Sequence, residues 1–162
     1  MSDALADGRQ VRVLTIVDAF KRECVALDVA ARFTGEDVAR TLDGIRFGRG
    51  VPQTISVDNG PEFTSTALDR WAWTAAVKLD FSRPGKPGDN ASIEAFNARV
   101  RQECLSQHYF SNLDEARRTV VAWREDYNNI RPHSALGGRT PAEFRASLEQ
   151  SKAVDEPEKS RA

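Results

Sequence analysis

Val11-Arg12-Val13-Leu14-Thr15-Ile16-Val17-Asp18 is a run of apolar and β-branched residues that ends in a carboxylate, and its reading decides the fold. Such a run reads as a buried strand. Ala19-Phe20-Lys21-Arg22 supplies a turn, and Glu23-Cys24-Val25-Ala26-Leu27-Asp28-Val29 alternates as a second strand. Downstream, Thr34-Gly35-Glu36-Asp37 opens a helix whose early acids suit the positive end of the helix dipole. Val38, Leu42, Ile45 and Phe47 form its apolar side, and Gly48 and Gly50 end it. Pro52 to Val57 gives a short strand that runs into the turn Asp58-Asn59-Gly60-Pro61. A helix over 64–77 carries Leu68, Trp71 and Ala75, and Val77 to Phe81 alternates as a further strand. After a Pro- and Gly-rich loop, Arg83 to Asn90, come helices over about 91–105 and 113–129 and a last one beginning at Thr140. The middle one has Ala116, Val120, Trp123 and Tyr127 on one stripe. The last has a capping Thr140, Pro141 at its first position and Glu143 at its third. The order β-β-α-β-α-β-α-α-α predicts an α/β fold, a mixed sheet packed against helices.

Composition bounds the function. The chain has 162 residues, 40% hydrophobic and 29% charged, enough for one domain with one core. That domain is expected over 1–150, and the tail 151–162, which lacks apolar periodicity, is expected to be disordered. No stretch approaches the roughly 20 apolar residues of a membrane span. The start, MSDALADGRQ, has no signal-peptide pattern, so a cytoplasmic location is expected. Cys24 and Cys104 belong to no Cys/His cluster, which supports neither structural zinc nor a disulfide. Lys and Arg number 23 against 24 acids, a net charge of −1, whereas dedicated DNA-binding modules are usually basic. Any DNA contact must come from local clusters: Arg83 with Lys86, Arg99 with Arg101, Arg117 with Arg118, and the stretch Arg131 to Arg145. Each also reads as a plain solvated face.

Two acids stand out by context. Asp58 follows a strand at its carboxyl end, where open α/β sheets place their sites. Glu94 lies one turn into the helix after the Pro/Gly loop. Helical spacing puts Asn90, Glu94, Asn97 and Arg101 on one face, with Ile93, Phe96, Val100 and Cys104 opposite. Taken singly, Asp58-Asn59-Gly60 is an ordinary Asx-type turn and Glu94 an ordinary surface acid.

Three strings in order, SVDNGPEF, PGKPGDNASIEAFNARVRQECL and YNNIRPHSALGGRTPAEF, resemble the integrase catalytic core of insertion-sequence transposases, which is similar to retroviral integrases. The resemblance runs from residue 2 to about 148. The 35 residues between Asp58 and Glu94 match that family's interval between its second and third acids. The resemblance implies a ribonuclease H-like fold and phosphoryl transfer on DNA using three carboxylates and two Mg²⁺ (or Mn²⁺) ions. It implies Asp58 and Glu94 as catalytic metal ligands. Asn59, Asn90, Lys86 and Arg101 would bind DNA or support the site, and Arg131, Pro132 and His133 would be mainly structural. The implied partners are DNA, as element ends and target, and further copies of the chain or full-length transposase.

The sequence departs from the family at its start. Met1-Ser2-Asp3-Ala4-Leu5 resembles the segment just after the first, central strand, so that strand and its aspartate would fall upstream of Met1. Asp3 would lie past the strand, and Asp18 aligns with a second-strand acid that is not a ligand. The expectation is therefore a sheet lacking its first strand, whose inner edges either close together or leave the chain unstable or in need of a partner. Negligible strand transfer by the chain alone is expected, leaving as the alternative a non-catalytic module that binds DNA or transposase.

Overall fold

The computed structural model describes residues 1–83 and 91–155. β2 (Gln10–Asp18) and β3 (Glu23–Ala30) form the expected antiparallel hairpin, from Arg12↔Ala30 to Asp18↔Glu23, with a register shift between Ile16 and Val17. Asp18 closes the turn. Its carboxylate accepts from the Phe20 and Lys21 amides at 3.0 and 2.9 Å and pairs with Lys21 Nζ at 2.8 Å. Burial opposes its charge, but these partners outweigh burial and hold the carboxyl below its ordinary value. Asp18 thus has a structural task.

β1 (Ser2–Ala4) pairs antiparallel with the other side of β2, in the register Ser2↔Arg12 and Ala4↔Gln10. This corrects one expectation: Asp3 lies within a strand, not beyond one. A tight reverse turn causes it. Leu5 exchanges backbone bonds with Arg9 and Gly8, and Gly8 takes a φ of +85° that favours glycine.

β4 (Thr54–Val57) and β5 (Lys78–Phe81) form a separate parallel ladder. Both antiparallel and parallel pairs are present, but among the described residues β2 and β4 do not pair, so the two inner edges do not close on each other. Apolar packing joins the ladders. Leu14 and Ile16 of β2 share a cluster with Ile55 of β4, Leu79 of β5, Val38 and Leu42 of α1 (Gly35–Arg49), and Leu68 and Trp71 of α2 (Thr66–Ala75). On the opposite face, Val11, Val13, Leu27 and Val29 pack with Phe96 and Val100 of α3 (Ala91–Glu103) and with Val120, Trp123 and Tyr127 of α4 (Leu113–Asn129). The strict alternation of β2 sends its neighbouring side chains to opposite cores. Helices therefore flank both faces of an α/β, ribonuclease H-like architecture.

Helix starts follow the sequence. Thr34 and Asp37 form a reciprocal capping box at α1, and Thr140 and Glu143 do the same at α5 (Pro141–Asp155), with bonds of 2.8 and 3.2 Å. Two helix details differ. Phe47, expected on the apolar side of α1, is 83% exposed. At 100° per residue it lies well off the stripe set by Val38, Leu42 and Ile45. Helix α5 continues to Asp155, past the point where apolar periodicity ends.

The outer edge of β3 is covered by α4. Asn128 accepts from the Cys24 amide and donates to the Cys24 carbonyl, both at 2.9 Å, and Arg117 donates to the Val29 carbonyl at 3.0 Å. Side chains thus occupy an edge that would otherwise recruit another strand.

Candidate active site

Asp58 stands where β4 ends, and the turn that holds it is built locally. Its Oδ1 accepts from the Gly60 amide at 2.7 Å, and the Gly60 carbonyl accepts from Phe63 and Thr64 at 2.9 and 3.0 Å. This double turn folds Glu62 back over Asp58. A Cβ built at Gly60 would lie 2.9 Å from both Asp58 Oδ1 and Glu62 Oε2, so a side chain there would push both carboxylate tips aside. Glu62 is also 3.5 Å from Arg12 on β2, which ties the turn to the antiparallel ladder.

Glu62 was not singled out from the sequence, where it is one more acid in a polar string. The available signal was the turn itself, because Asn-Gly-Pro after a strand reverses the chain and returns residue 62 to residue 58.

Asn59 donates to the Ser82 carbonyl at 3.0 Å, and Ser82 Oγ and its amide both donate to the Val57 carbonyl. These bonds join the ends of β4 and β5, so Asn59 supports the strand end that carries Asp58.

Helix α3 reaches the site from the other core. Phe96 and Val100 bury its apolar face. On the polar face, Asn97 Oδ1 accepts from Thr15 on β2 at 2.9 Å, and Arg101 donates to the Ser2 carbonyl of β1 at 2.7 Å. The face that the sequence assigned to Asn97 and Arg101 therefore docks on the sheet. Glu94 is exposed in the first turn of α3. Lys86 and Asn90 lie outside the described residues.

The start of β1 marks where these elements meet. The Met1 amino group donates to the Val13 carbonyl at 2.9 Å. Its pKa is lowered first by burial and then by Arg12, with Asp58 and Glu62 opposing and Arg101 adding to the depression. The charges of Asp58, Glu62, Arg12 and Arg101 thus all act on this one amino group. Among the described residues no hydrogen bond or ion pair joins Glu94 to Asp58, and no group of three or more His, Cys, Asp or Glu is arranged to hold a metal ion. The donor chemistry, hard carboxylate oxygens at a strand end, suits Mg²⁺ or Mn²⁺. Among the described residues fewer than three such donors are gathered.

The RPH string has a structural task. Arg131 bonds Asp126 of α4 at 2.5 Å, pairs with Glu103 of α3 and stacks over Trp123. His133 meets Tyr127 edge-on with ring centroids 4.9 Å apart. Together they clamp α3 to α4. Several basic clusters are likewise committed to the fold: Arg117 to Val29 and Asp114, Arg139 to Leu136, and Arg145 to Glu23.

The fold and the placement of Asp58 define a ribonuclease H-like core that carries an acid at the carboxyl end of a strand of its parallel ladder. Two models of the integrase core domain match it, over residues 3–87 and 75–141. The chain belongs to the integrase core domain family. It is 49% identical over 144 residues to an uncharacterized 31.7 kDa protein of insertion element IS407 from Burkholderia multivorans, covering 89% of this chain and 52% of that protein. It is 44% identical over 145 residues to an uncharacterized 39.2 kDa protein of insertion element IS476 from Xanthomonas euvesicatoria, covering 90% and 42%. The chain thus spans about half the length of these curated relatives or less. Among solved structures, the HTLV-2 integrase catalytic core domain in complex with magnesium superposes with a TM-score of 0.69 at 16% identity, covering 89% of this chain and 90% of that one. That likeness carries the fold.

Proposed function

We propose that this chain is the catalytic core of an insertion-sequence transposase, acting on DNA by metal-dependent phosphoryl transfer. The observation that carries the reading is Asp58: a carboxylate at a strand end, one oxygen locked by the Gly60 amide, in a chain of the integrase core domain family. Glu94, on the first turn of α3, is the second proposed ligand. A bound Mg²⁺ or Mn²⁺ would stabilise charge developing on the phosphate. The chain's own residues set the geometry: Asn59 and Ser82 fix the strand end, Glu62 and Arg12 hold the turn to β2, and Asn97 and Arg101 dock α3. In this reading Lys86, Asn90 and Arg101 meet the DNA backbone or support the site, with element ends and target DNA as substrates. The assembly would contain further copies of this chain or full-length transposase. The magnesium in the HTLV-2 relative supports the choice of ion.

A second reading has its own support. The described residues bring together no set of three metal-binding side chains, so the pair Asp58 and Glu94 alone is expected to give negligible strand cleavage. The chain would then act as a non-catalytic module that docks on DNA or transposase. The two readings separate in one experiment. With end-containing DNA and Mn²⁺, the transposase reading of the family site requires paramagnetic broadening around both Asp58 and Glu94, lost in Asp58→Asn. Broadening at only one of them sinks the shared site. Metal-dependent nicking abolished by Glu94→Gln would overturn the expectation that this chain is inert.

A further inference from the structure

We propose that a cleft beside the outer edge of β3 is an anion site that takes a phosphate group. The cleft has a volume of about 470 Å³, within the range of small-molecule pockets. Three arginines border it, each from a different helix: Arg49 of α1, Arg124 of α4 and Arg145 of α5. It lies against the edge of the antiparallel ladder remote from β1, and hence away from Asp58.

Two of the arginines, Arg49 and Arg145, are held in advance. Glu23 is 2% exposed beneath them and bonds Arg49 at 2.5 Å and Arg145 at 3.4 Å. One carboxylate is thus shared between two guanidiniums, so it cannot satisfy all of their N–H donors. Arg145 Nε is shielded from solvent with no hydrogen-bond partner, and its ion pair with Glu149, at 3.9 Å, is too long to satisfy it. Among the described residues Arg124 pairs with Glu125, which is 57% exposed, and such surface pairs are readily exchanged. The acid in the lining is Asp28, which is engaged by Thr41 of α1 at 3.5 Å.

Planar guanidiniums that are already ordered suit the oxygens of a phosphate, because little side-chain freedom is left to lose on binding. The α1 wall is bare: a Cβ at Gly44 or Gly48 would meet nothing within 4 Å, which leaves room for the ligand. The phosphate could be free or part of a DNA backbone, and the chemistry of recognition is the same. This site is independent of the metal chemistry proposed at Asp58.

The test follows the arginine Nε–Hε signals of the full chain by NMR during titration with inorganic phosphate, with chloride at equal ionic strength as control and a short DNA duplex as a second arm. Phosphate should shift Arg124 and Arg145 saturably and chloride should not. Gly44→Glu places a carboxylate in open space on a helix that glutamate favours over glycine, so it keeps the fold. It should weaken the phosphate response about tenfold or more. Arg124→Gln, which leaves the Glu23 pairs intact, should do the same. Matching shifts with the duplex identify a DNA backbone phosphate, and shifts with inorganic phosphate alone identify a free one. No saturable shift in either arm, or an unchanged response in Gly44→Glu, overturns the proposal.

Discussion

Replacing Asn128 with alanine should cost far more than its small side chain suggests. Asn128 is 8% exposed, and its amide makes two bonds of 2.9 Å to one residue, accepting from the Cys24 N–H and donating to the Cys24 C=O. Alanine removes both partners and leaves two backbone groups facing the interior. A buried unpaired group costs about 1–3 kcal/mol. Partial hydration through the space left behind offsets some of this, so the expected loss is about 2–4 kcal/mol. A domain holds only about 5–15 kcal/mol in total. Urea unfolding followed by tryptophan fluorescence should show a lower midpoint at an unchanged slope, and the Cys24 amide should lose hydrogen-exchange protection. Asn128→Asp sharpens the argument. It keeps the acceptor but loses the donor, and its deficit relative to wild type should shrink as acid protonates the carboxyl and restores an O–H donor. A loss below about 0.5 kcal/mol for Asn128→Ala, the range of an ordinary surface change, refutes the pairing as a structural tie.

Three further perturbations read other parts of the molecule. Gly60→Ala would set a methyl 2.9 Å from the tips of Asp58 and Glu62, which can swing aside, so stability should change by less than about 1 kcal/mol while Mn²⁺ broadening at Asp58 weakens about 10–100-fold; unchanged Mn²⁺ binding would show that the two carboxylates need not converge. Burial pushes the Cys24 thiol up to about 12 and the Cys104 thiol up to about 11, so at pH 8 neither should react with a thiol reagent until urea unfolds the chain; prompt reaction of the folded chain would contradict their burial. Burial foremost, then Arg99, lowers the pKa of His133, and a histidine depressed in the folded state stabilises it above its unfolded value near 6.5 and loses that contribution as pH falls below it. Unfolding midpoints between pH 7.5 and 5.5 should therefore fall less in His133→Gln than in the wild type, and equal falls would exclude the histidine.

Much of the architecture was legible because it is written in local chemistry. The β-branched run at 11–18, the Asp18 turn and the capping pairs Thr34–Asp37 and Thr140–Glu143 each fix a strand or a helix start within a few residues. Legibility failed where a long-range or geometric condition decides. Phe47 is apolar yet lies off the helix stripe, and Asp3 was drawn into a strand by a turn that closes after it. Glu62 gains its place only once the Gly60 turn carries it back toward Arg12 and Asp58. The arginine clusters look like candidate DNA contacts along the chain, but Arg117, Arg131, Arg139 and Arg145 bond partners that are distant in sequence or buried.

The same distinction explains how the candidate site is assembled. Asp58 needs little beyond its own neighbourhood: β4 delivers it, and bonds to residues 60 to 64 hold the turn. Glu94 has no such local support and stands wherever α3 stands. That helix is fixed by Phe96 and Val100 in the core, by Asn97 on Thr15 across 82 residues of sequence, and by Arg101 on Ser2 across 99. Both polar ties end on the antiparallel ladder, and β2 of that ladder also holds the Asp58 turn through Arg12 and Glu62. The hairpin of β1 and β2 is therefore the common reference for both acids, although it contributes neither. A change that loosens it, such as loss of the Arg12–Glu62 pair, should disturb the spacing of Asp58 and Glu94 more than it disturbs either residue's own surroundings.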